Sequence, residues 1–401
     1  MNDRKRLLAF YCNAALFYLA ANFAHPVTPT FIVERQLDDS MFGVALAAMQ
    51  VMNFLFAPFW GKLCNYVPVR RITLIGLLGY ALGQGIFCAA QTELVVIAGR
   101  MVAGAFSSGI FVSLMNYVIN VSTEPAVRGK RLTTLVTIQN VASACGYFVG
   151  GMLGVISVEC AFIVQVVTLV ACGFLAIGIC VDDTPFKHIP EKPLTAKEAN
   201  PFGAFVSAKT FMTPLLVLIY TIVAVTSIGQ NSFDQCFNYF IKDQFDLSSA
   251  YNGIFKAAIA GATLLLNSTV CVWLQKKTDI NKTFLPVTVC GAISALSILI
   301  FRNLVPFVAA DIVFFALNAV RLSLMQNLTA MHASFENSNL AMGFYQSMIS
   351  LGGIFGALFA GLIYAANPML PFGLAFASFA AAALIGVVFI AKYKKTGIIK
   401  K

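Results

Sequence analysis

Long apolar segments dominate this sequence and constrain its fold more than any other feature. There are twelve, at residues 7–33, 41–61, 71–91, 94–120, 132–156, 159–181, 210–241, 247–273, 283–301, 304–330, 338–365 and 369–391. About 20 apolar residues in a helix cross the hydrocarbon core of a bilayer. Continuous runs of this length exclude the alternating strands of about ten residues that build membrane barrels. The sequence therefore predicts an all-α membrane protein with twelve transmembrane helices.

The composition excludes a soluble domain. Only 11% of the residues are Asp, Glu, Lys or Arg, and 59% are hydrophobic, whereas soluble domains carry about 25% charged residues. The ten cysteines are scattered singly, without a C-x-x-C pair, so we expect small packing residues rather than a disulfide framework or a metal site.

The basic residues indicate how the chain is oriented. Twenty-one of the 27 Lys and Arg residues lie at the termini and in alternate loops, and three, Arg35, Lys242 and Arg302, lie in the opposite loops. Basic loops stay in the cytoplasm. We therefore expect a multi-pass protein of the cell membrane with both termini cytoplasmic. The net charge of +10 then reflects topology and not a nucleic-acid partner.

A polar stretch at residues 182–209, rich in proline and charge, divides the apolar segments into two sets of six. The sequence thus predicts an amino-terminal six-helix bundle at 1–181, a cytoplasmic linker at 182–209 and a carboxy-terminal six-helix bundle at 210–401. Two pseudo-symmetric bundles are typical of secondary transporters, whose substrate site lies between the repeats.

The loop after the second segment carries a recognisable motif. Residues 61–71, GKLCNYVPVRR, resemble the loop 2–3 signature of the major facilitator superfamily, G-x-L-a-D-r-x-G-r-R/K. Gly61, Arg70 and Arg71 match, and Asn65 stands where the family prefers Asp. The resemblance implies the major facilitator fold, with Gly61, Asn65, Arg70 and Arg71 as a conformational latch. A neutral Asn65 predicts a weaker interaction with a helix end than Asp makes.

Three further stretches resemble the bacterial drug:proton antiporters of this superfamily. RMVAG at 100–104 is similar to an exporter motif of the fourth helix, and GYFVGG at 146–151 is similar to the G-P-x-x-G-G motif of the fifth. SFD at 232–234 places an acid in the seventh helix, and Arg321 matches a basic residue of the tenth. This resemblance implies proton-coupled efflux, with Arg100 taking part in proton transfer.

Ionisable groups inside the predicted helices are candidates for coupling. They are Arg100, Asp234, Lys256, Asp311 and Arg321, joined by His25. Each charge costs about 2.5–3.5 kcal/mol at the bilayer centre, so it usually faces a cavity or a partner. We expect Asp234, Arg100 and Asp311 to couple transport to protons, Asp234 being the main proton carrier. Two alternatives stay open: a static ion pair of Asp234 with Lys256 or Arg321, and an Asp311 side chain that reaches outward.

A second set of residues is predicted to contact substrate. Its members are basic, amide or aromatic residues within the helices: Arg321, Lys256, Asn238, Phe237, Tyr345, Gln346, Asn318, His25 and Asn22. Amides in membrane helices also join neighbouring helices, and His25 beside two prolines also fits a structural role. Three bases against two acids favour neutral or anionic amphipathic substrates over lipophilic cations.

The preferred prediction is therefore a monomeric secondary transporter that exports amphipathic drug-like molecules against protons by alternating access. The alternative is a symporter or exchanger of organic anions or metabolites that uses Arg321 and Lys256. A third hypothesis is a receptor or lipid flippase on the same fold. The sequence holds no G-x-x-x-x-G-K-[ST] loop, so we expect neither ATP-driven transport nor enzyme activity, and we predict no cofactor or metal.

Overall fold

The computed structural model describes residues 3–38, 41–122, 124–190, 200–245, 249–301 and 303–395, and within these ranges every regular element is a helix. The chain up to the linker forms α1 (Asp3–Ala21), α2 (Thr28–Glu34), α3 (Met41–Tyr66), α4 (Val69–Cys88), α5 (Glu93–Asn120), α6 (Pro125–Ile156), α7 (Val158–Ile179) and α8 (Pro201–Ser207). The remainder forms α9 (Pro214–Phe245), α10 (Ser249–Leu266), α11 (Val272–Lys277), α12 (Ile280–Ile300), α13 (Leu304–His332), α14 (Ser338–Ala366) and α15 (Leu370–Lys395).

Eleven helical stretches in the described part of the chain are long and apolar enough to cross a membrane. They coincide with the second to the twelfth predicted segments. Large apolar side chains project from them, as Leu94 and Val305 do at 76% and 78% exposure, which suits contact with lipid chains. The predicted all-α architecture of long apolar spans is confirmed.

The first predicted segment, 7–33, is not one helix. α1 ends at Ala21, and α2 begins at Thr28 with Pro29 in its first turn. Pro26 lies in the turn between them. Proline has no N–H to donate and clashes with the preceding turn of a helix, so the helix is fully interrupted around His25.

The eighth segment contains a local irregularity. Between α10 and α11 the helix widens into a π-helix at Asn267–Cys271 and then continues to Lys277. Asn267 and Cys271 are fully buried. Such π segments are rare and frequently lie at functional sites.

By their internal contacts, the residues group into two compact units. Unit 1 comprises residues 1–123, 138–209 and 335–347, and unit 2 comprises 124–137, 210–334 and 348–401. Each unit thus contains most of one predicted half together with the start of a helix from the other, α14 in unit 1 and α6 in unit 2. The division into two six-helix bundles remains a prediction.

Within unit 1, α3 and the start of α14 cross very closely. A Cβ atom placed on Gly61 would lie 2.7 Å from the carbonyl oxygen of Asn339, and one on Gly343 would lie 2.6 Å from that of Ala57. Only glycine permits the two backbones to approach this far.

Candidate functional site

An ion pair joins α9 and α10 in unit 2. Lys256 Nζ lies 2.5 Å from Asp234 Oδ1, and the two side chains are 21% and 43% exposed. Lys256 Nζ also lies 5.5 Å from the centre of the Phe315 ring on α13. This charged pair of two membrane-spanning helices is therefore only partly buried by the rest of the protein.

Asp311 on α13 belongs to the same region but has the opposite environment. Its side chain is fully buried, so it does not reach outward as one alternative required. Neither carboxyl oxygen has a hydrogen-bond partner among the described residues. The charges of Lys256 and Asp234 act on it electrostatically.

Arg321 lies ten residues further along α13, about 15 Å away at 1.5 Å per residue. Its Nε and Nη2 donate to Asn318 Oδ1 at 3.0 and 2.7 Å, and its Nη1 donates to Thr226 Oγ1 at 2.7 Å. The guanidinium also lies 5.3 Å from the centre of the Phe379 ring and is fully buried. Asn318 therefore orients Arg321, and neither residue belongs to the group formed by Asp234, Lys256 and Asp311.

The predicted aromatic and amide contacts are mostly enclosed. Phe237 is 1% exposed and stacks on Phe307 with ring centres 6.0 Å apart, inside a cluster of phenylalanines. Tyr345 in unit 1 is fully buried, and Gln346 beside it is half-buried. The side chain of Asn238 lies outside the described residues.

Arg100 on α5 is a buried cation of unit 1. It is 3% exposed, its Nη2 donates to Thr28 Oγ1 at 3.3 Å, and its Nη1 lies 3.8 Å from the sulfur of Met49. The guanidinium stacks 4.2 Å from the centre of the Phe87 ring. No carboxylate among the described residues forms a salt bridge with it.

The break between α1 and α2 holds two further predicted residues. The His25 ring lies nearly parallel to that of Tyr147, with centres 6.4 Å apart. Asn22 Nδ2 donates to the carbonyl oxygen of Tyr18 at 2.8 Å, which closes the end of α1. Both arrangements fit structural roles in unit 1.

Two of the four predicted latch residues, Gly61 and Asn65, contact the start of α14 in unit 1. Asn65 Oδ1 accepts a hydrogen bond from Asn339 Nδ2 at 2.8 Å, close to the start of α14, and Asn116 Nδ2 donates to the Asn339 carbonyl oxygen at 3.2 Å. Together with the Gly61 crossing, these contacts join α3 and α5 to α14 through neutral groups.

The basic residues of the same loop contact the linker or remain exposed. Arg70 Nη2 lies 3.0 Å from Asp182 Oδ2, whereas Arg71 is exposed. The Thr184 hydroxyl and backbone N–H donate to Asp182, and these bonds, with the Arg70 charge, lower the pKa of that carboxyl group.

Sequence reasoning missed a buried anchor at the start of the linker. Lys187, one of the basic residues counted in the predicted cytoplasmic linker, donates from Nζ to the carbonyl oxygens of Cys64 and Val67 at 2.6 and 2.7 Å. Asp183 accepts from the Val69 N–H at 2.9 Å and from Asn120 Nδ2 at 2.7 Å. In the sequence, the only indication of this buried anchor was the spacing of four residues between Asp183 and Lys187.

Comparisons with known proteins show which family and which relatives the chain resembles. A family model described as Major Facilitator Superfamily matches residues 10–320. The chain is 21% identical to quinolone resistance protein NorA of Staphylococcus aureus (strain MSSA476), covering 90% of each chain. It is 21% identical to multidrug resistance protein 2 of Bacillus subtilis (strain 168), covering 98% of this chain and 97% of that protein. It is 24% identical to the class D tetracycline resistance protein of Salmonella ordonez, over 84% of each.

A solved structure shares the fold. The human organic anion transporter TETRAN superposes with a TM-score of 0.79 at 14% identity, over 96% of this chain and 100% of that one.

Proposed function

The chain belongs to the Major Facilitator Superfamily, a family of multi-pass membrane transporters of small molecules, and from this premise we propose that it exports amphipathic drug-like molecules in exchange for protons. The bacterial relatives described above are named for resistance to quinolones, to several drugs and to tetracycline. We place the protein in the cell membrane as a monomer, with both termini and the linker in the cytoplasm.

The observation that carries this proposal is the accessible pair of Asp234 and Lys256. A carboxylate that is 43% exposed within a membrane-spanning helix can receive a proton, and protonation removes the charge that holds Lys256. A proton-coupled exporter needs a group of this kind. Proton binding and substrate release must both act on the same contact, so that the entry of one is linked to the departure of the other.

Alternating access completes the cycle. In the proposed cycle the two predicted six-helix bundles at 1–181 and 210–401 alternate between two arrangements, and the α3–α14 crossing at Gly61 and Gly343 opens and closes one side. Substrate contacts come from the residues near the accessible pair, with Arg100 supporting proton transfer in unit 1. The neutral Asn65–Asn339 contact gives a latch whose strength does not vary with pH.

The competing proposal, organic-anion exchange through Arg321 and Lys256, has less support. Arg321 is fully buried and already donates three hydrogen bonds to Asn318 and Thr226. Lys256 is engaged by Asp234. An anion would have to displace both sets of contacts.

Transport by the purified protein in proteoliposomes tests the proposal. Norfloxacin, tetracycline and ethidium serve as probes, each with and without an imposed pH gradient. We expect gradient-driven movement for the wild type and its loss in Asp234→Asn. Asp243→Asn is the matched control, because Asp243 lies on the same helix and is exposed.

Two results would contradict the proposal in different ways. If Asp234→Asn kept full gradient-driven transport, Asp234 would lose its role as proton carrier. If the wild type moved none of the probes under a gradient and instead exchanged organic anions without one, the export function itself would be wrong.

A further inference from the structure

We infer that Lys256 is the moving charge of this site: it pairs with Asp234 in this structure and with Asp311 in the alternate state, and so decides which carboxyl group holds the proton. The inference rests on the proposed proton coupling and deepens it. It gives Lys256 a positioning role in coupling in place of the substrate contact predicted from sequence.

The first step is that the Lys256 ammonium group lies close enough to move towards Asp311. Phe315 follows Asp311 by four residues on α13, so both lie on one face of that helix. Lys256 Nζ, 5.5 Å from the Phe315 ring centre, therefore lies beside the face that carries Asp311. α10 packs against both α13 and α9, and the flexible four-carbon stem of lysine lets the ammonium group swing between these two helices.

The second step is the state of Asp311. A buried carboxylate without a partner is unfavourable, because nothing replaces the water that it loses. Asp311 is fully buried, and neither of its oxygens has a hydrogen-bond partner in the described ranges. The neutral acid is the form that such surroundings accept, and a carboxylate there requires a cation beside it.

The third step is the number of charged side chains around Asp311, Asp234 and Lys256. The remaining charged side chains that the structure describes on the helices packed around Asp311 lie near helix ends or ten residues away: Asp243 on α9, Lys282 on α12, Arg321 on α13 and Lys392, Lys394 and Lys395 on α15. One ammonium group thus faces two carboxyl groups. Lys256 neutralises one of them, and a proton neutralises the other.

The exchange is balanced. A proton from outside binds the Asp234 carboxylate, and the Lys256 ammonium group leaves it for Asp311. In the alternate state, which opens to the cytoplasm, the Asp311 proton passes to water on that side as the Asp311 carboxylate forms beside Lys256. One proton enters at the exposed acid and one leaves from the buried acid, and the three side chains stay neutral in sum throughout.

Infrared spectroscopy of the protein in nanodiscs tests the exchange without any substrate. The C=O stretch of a protonated carboxyl group that disappears in Asp311→Asn identifies Asp311. In Asp234→Asn, Asp311 becomes the acid to which Lys256 moves, so we expect this band to be lost at neutral pH. In Asp234→Asn with Lys256→Gln, we expect it to return. A band that persists in Asp234→Asn, or that stays absent in the double variant, overturns the inference.

Flux measurements separate Lys256 as a coupling residue from Lys256 as a substrate ligand. With norfloxacin in proteoliposomes, we expect Lys256→Met to reduce proton movement per drug at least tenfold, and Lys256→Arg to restore most of it. Lys277→Met, at an exposed lysine of the same span, serves as the control. A raised KM with unchanged protons per drug would instead assign Lys256 to the substrate.

The two proposals fail separately. If no probe moved protons in the wild type while the infrared pattern held, the export function would be wrong and the lysine exchange would stand. If drug-driven proton movement held while the infrared pattern failed, only the exchange would be wrong.

Discussion

Lys187 Nζ lies 3.7 Å from Asp183 Oδ2, and both side chains are almost completely shielded, at 1% and 0% exposure. The pair also holds four groups of the protein: the Cys64 and Val67 carbonyl oxygens, the Val69 N–H and the Asn120 amide. It therefore attaches the start of the linker to the end of α3, the start of α4 and the end of α5.

Removing one member of this pair leaves the other charge buried and uncompensated, which typically costs about 3–5 kcal/mol. We expect Lys187→Met or Asp183→Asn to lower the free energy of unfolding by an amount of this order, measured by denaturant unfolding of the purified protein. Lys209→Met is the control, because Lys209 is exposed at the other end of the linker. Equal effects at positions 187 and 209 would contradict the buried anchor.

Arg321 offers a test of structural against substrate-binding roles. Thr226→Val removes the acceptor of one charge-assisted hydrogen bond, and such bonds contribute about 1.5–3 kcal/mol. We expect a lower midpoint of thermal unfolding with the KM for norfloxacin changed less than twofold. A large change in KM without loss of stability would show that Arg321 faces the substrate.

The α3–α14 crossing predicts a strong effect of a single methyl group. Gly343→Ala places a Cβ against the backbone of Ala57, and overpacking of this kind typically costs about 1–3 kcal/mol. We expect gradient-driven transport to fall severalfold, because the two helices can no longer close.

Gly373→Ala is the matched control for this variant, since nothing lies within 4 Å of a Cβ at Gly373. Spin labels on α3 and α14 should report a longer distance in Gly343→Ala alone. An unchanged distance would exclude steric separation as the cause.

The contact of Arg70 with Asp182 should not contribute to the pH dependence of transport. The pKa of Asp182 lies below its ordinary value of 3.8 because Thr184 donates to it. A lowered pKa stabilises the folded protein above that value, and the stabilisation is lost only as the pH falls through the lowered pKa. We expect Asp182→Asn to leave the pH profile of norfloxacin transport unchanged in shape. A shifted profile would place a titrating group at this loop.

The sequence was sufficient for the second to the twelfth spans, and it left Lys256 and Arg321 open as partners of Asp234. Helical rise alone places Asp234, Lys256 and Asp311 at similar depths, and opposite charges at one depth tend to pair. It was not sufficient for the surroundings of Arg321, because Thr226, its partner, lies 95 residues earlier in the chain. Contacts of this kind depend on how helices rotate against each other, which hydrophobicity does not encode.

Two surroundings could not be read from the sequence for the same physical reason. Lys187 was counted among the basic residues of the loops, and it is buried, because a lysine can satisfy its donors with backbone carbonyl groups. Phe237 packs in a phenylalanine cluster, and its predicted contact with substrate stays a prediction. Residue type indicates what a side chain can bind, but the packing of the helices decides what it meets.

The π-helix at Asn267–Cys271 determines which residues the following turn presents. A π turn holds one residue more than an α turn, and each residue rotates an α-helix by about 100°. With an ordinary turn there, Gln275 would point away from Thr133, to which its Nε2 now donates at 2.5 Å. The extra residue thus rotates the part of the span that follows it. This rotation sets the direction in which the Gln275 side chain points, although the sequence at Gln275 is unchanged.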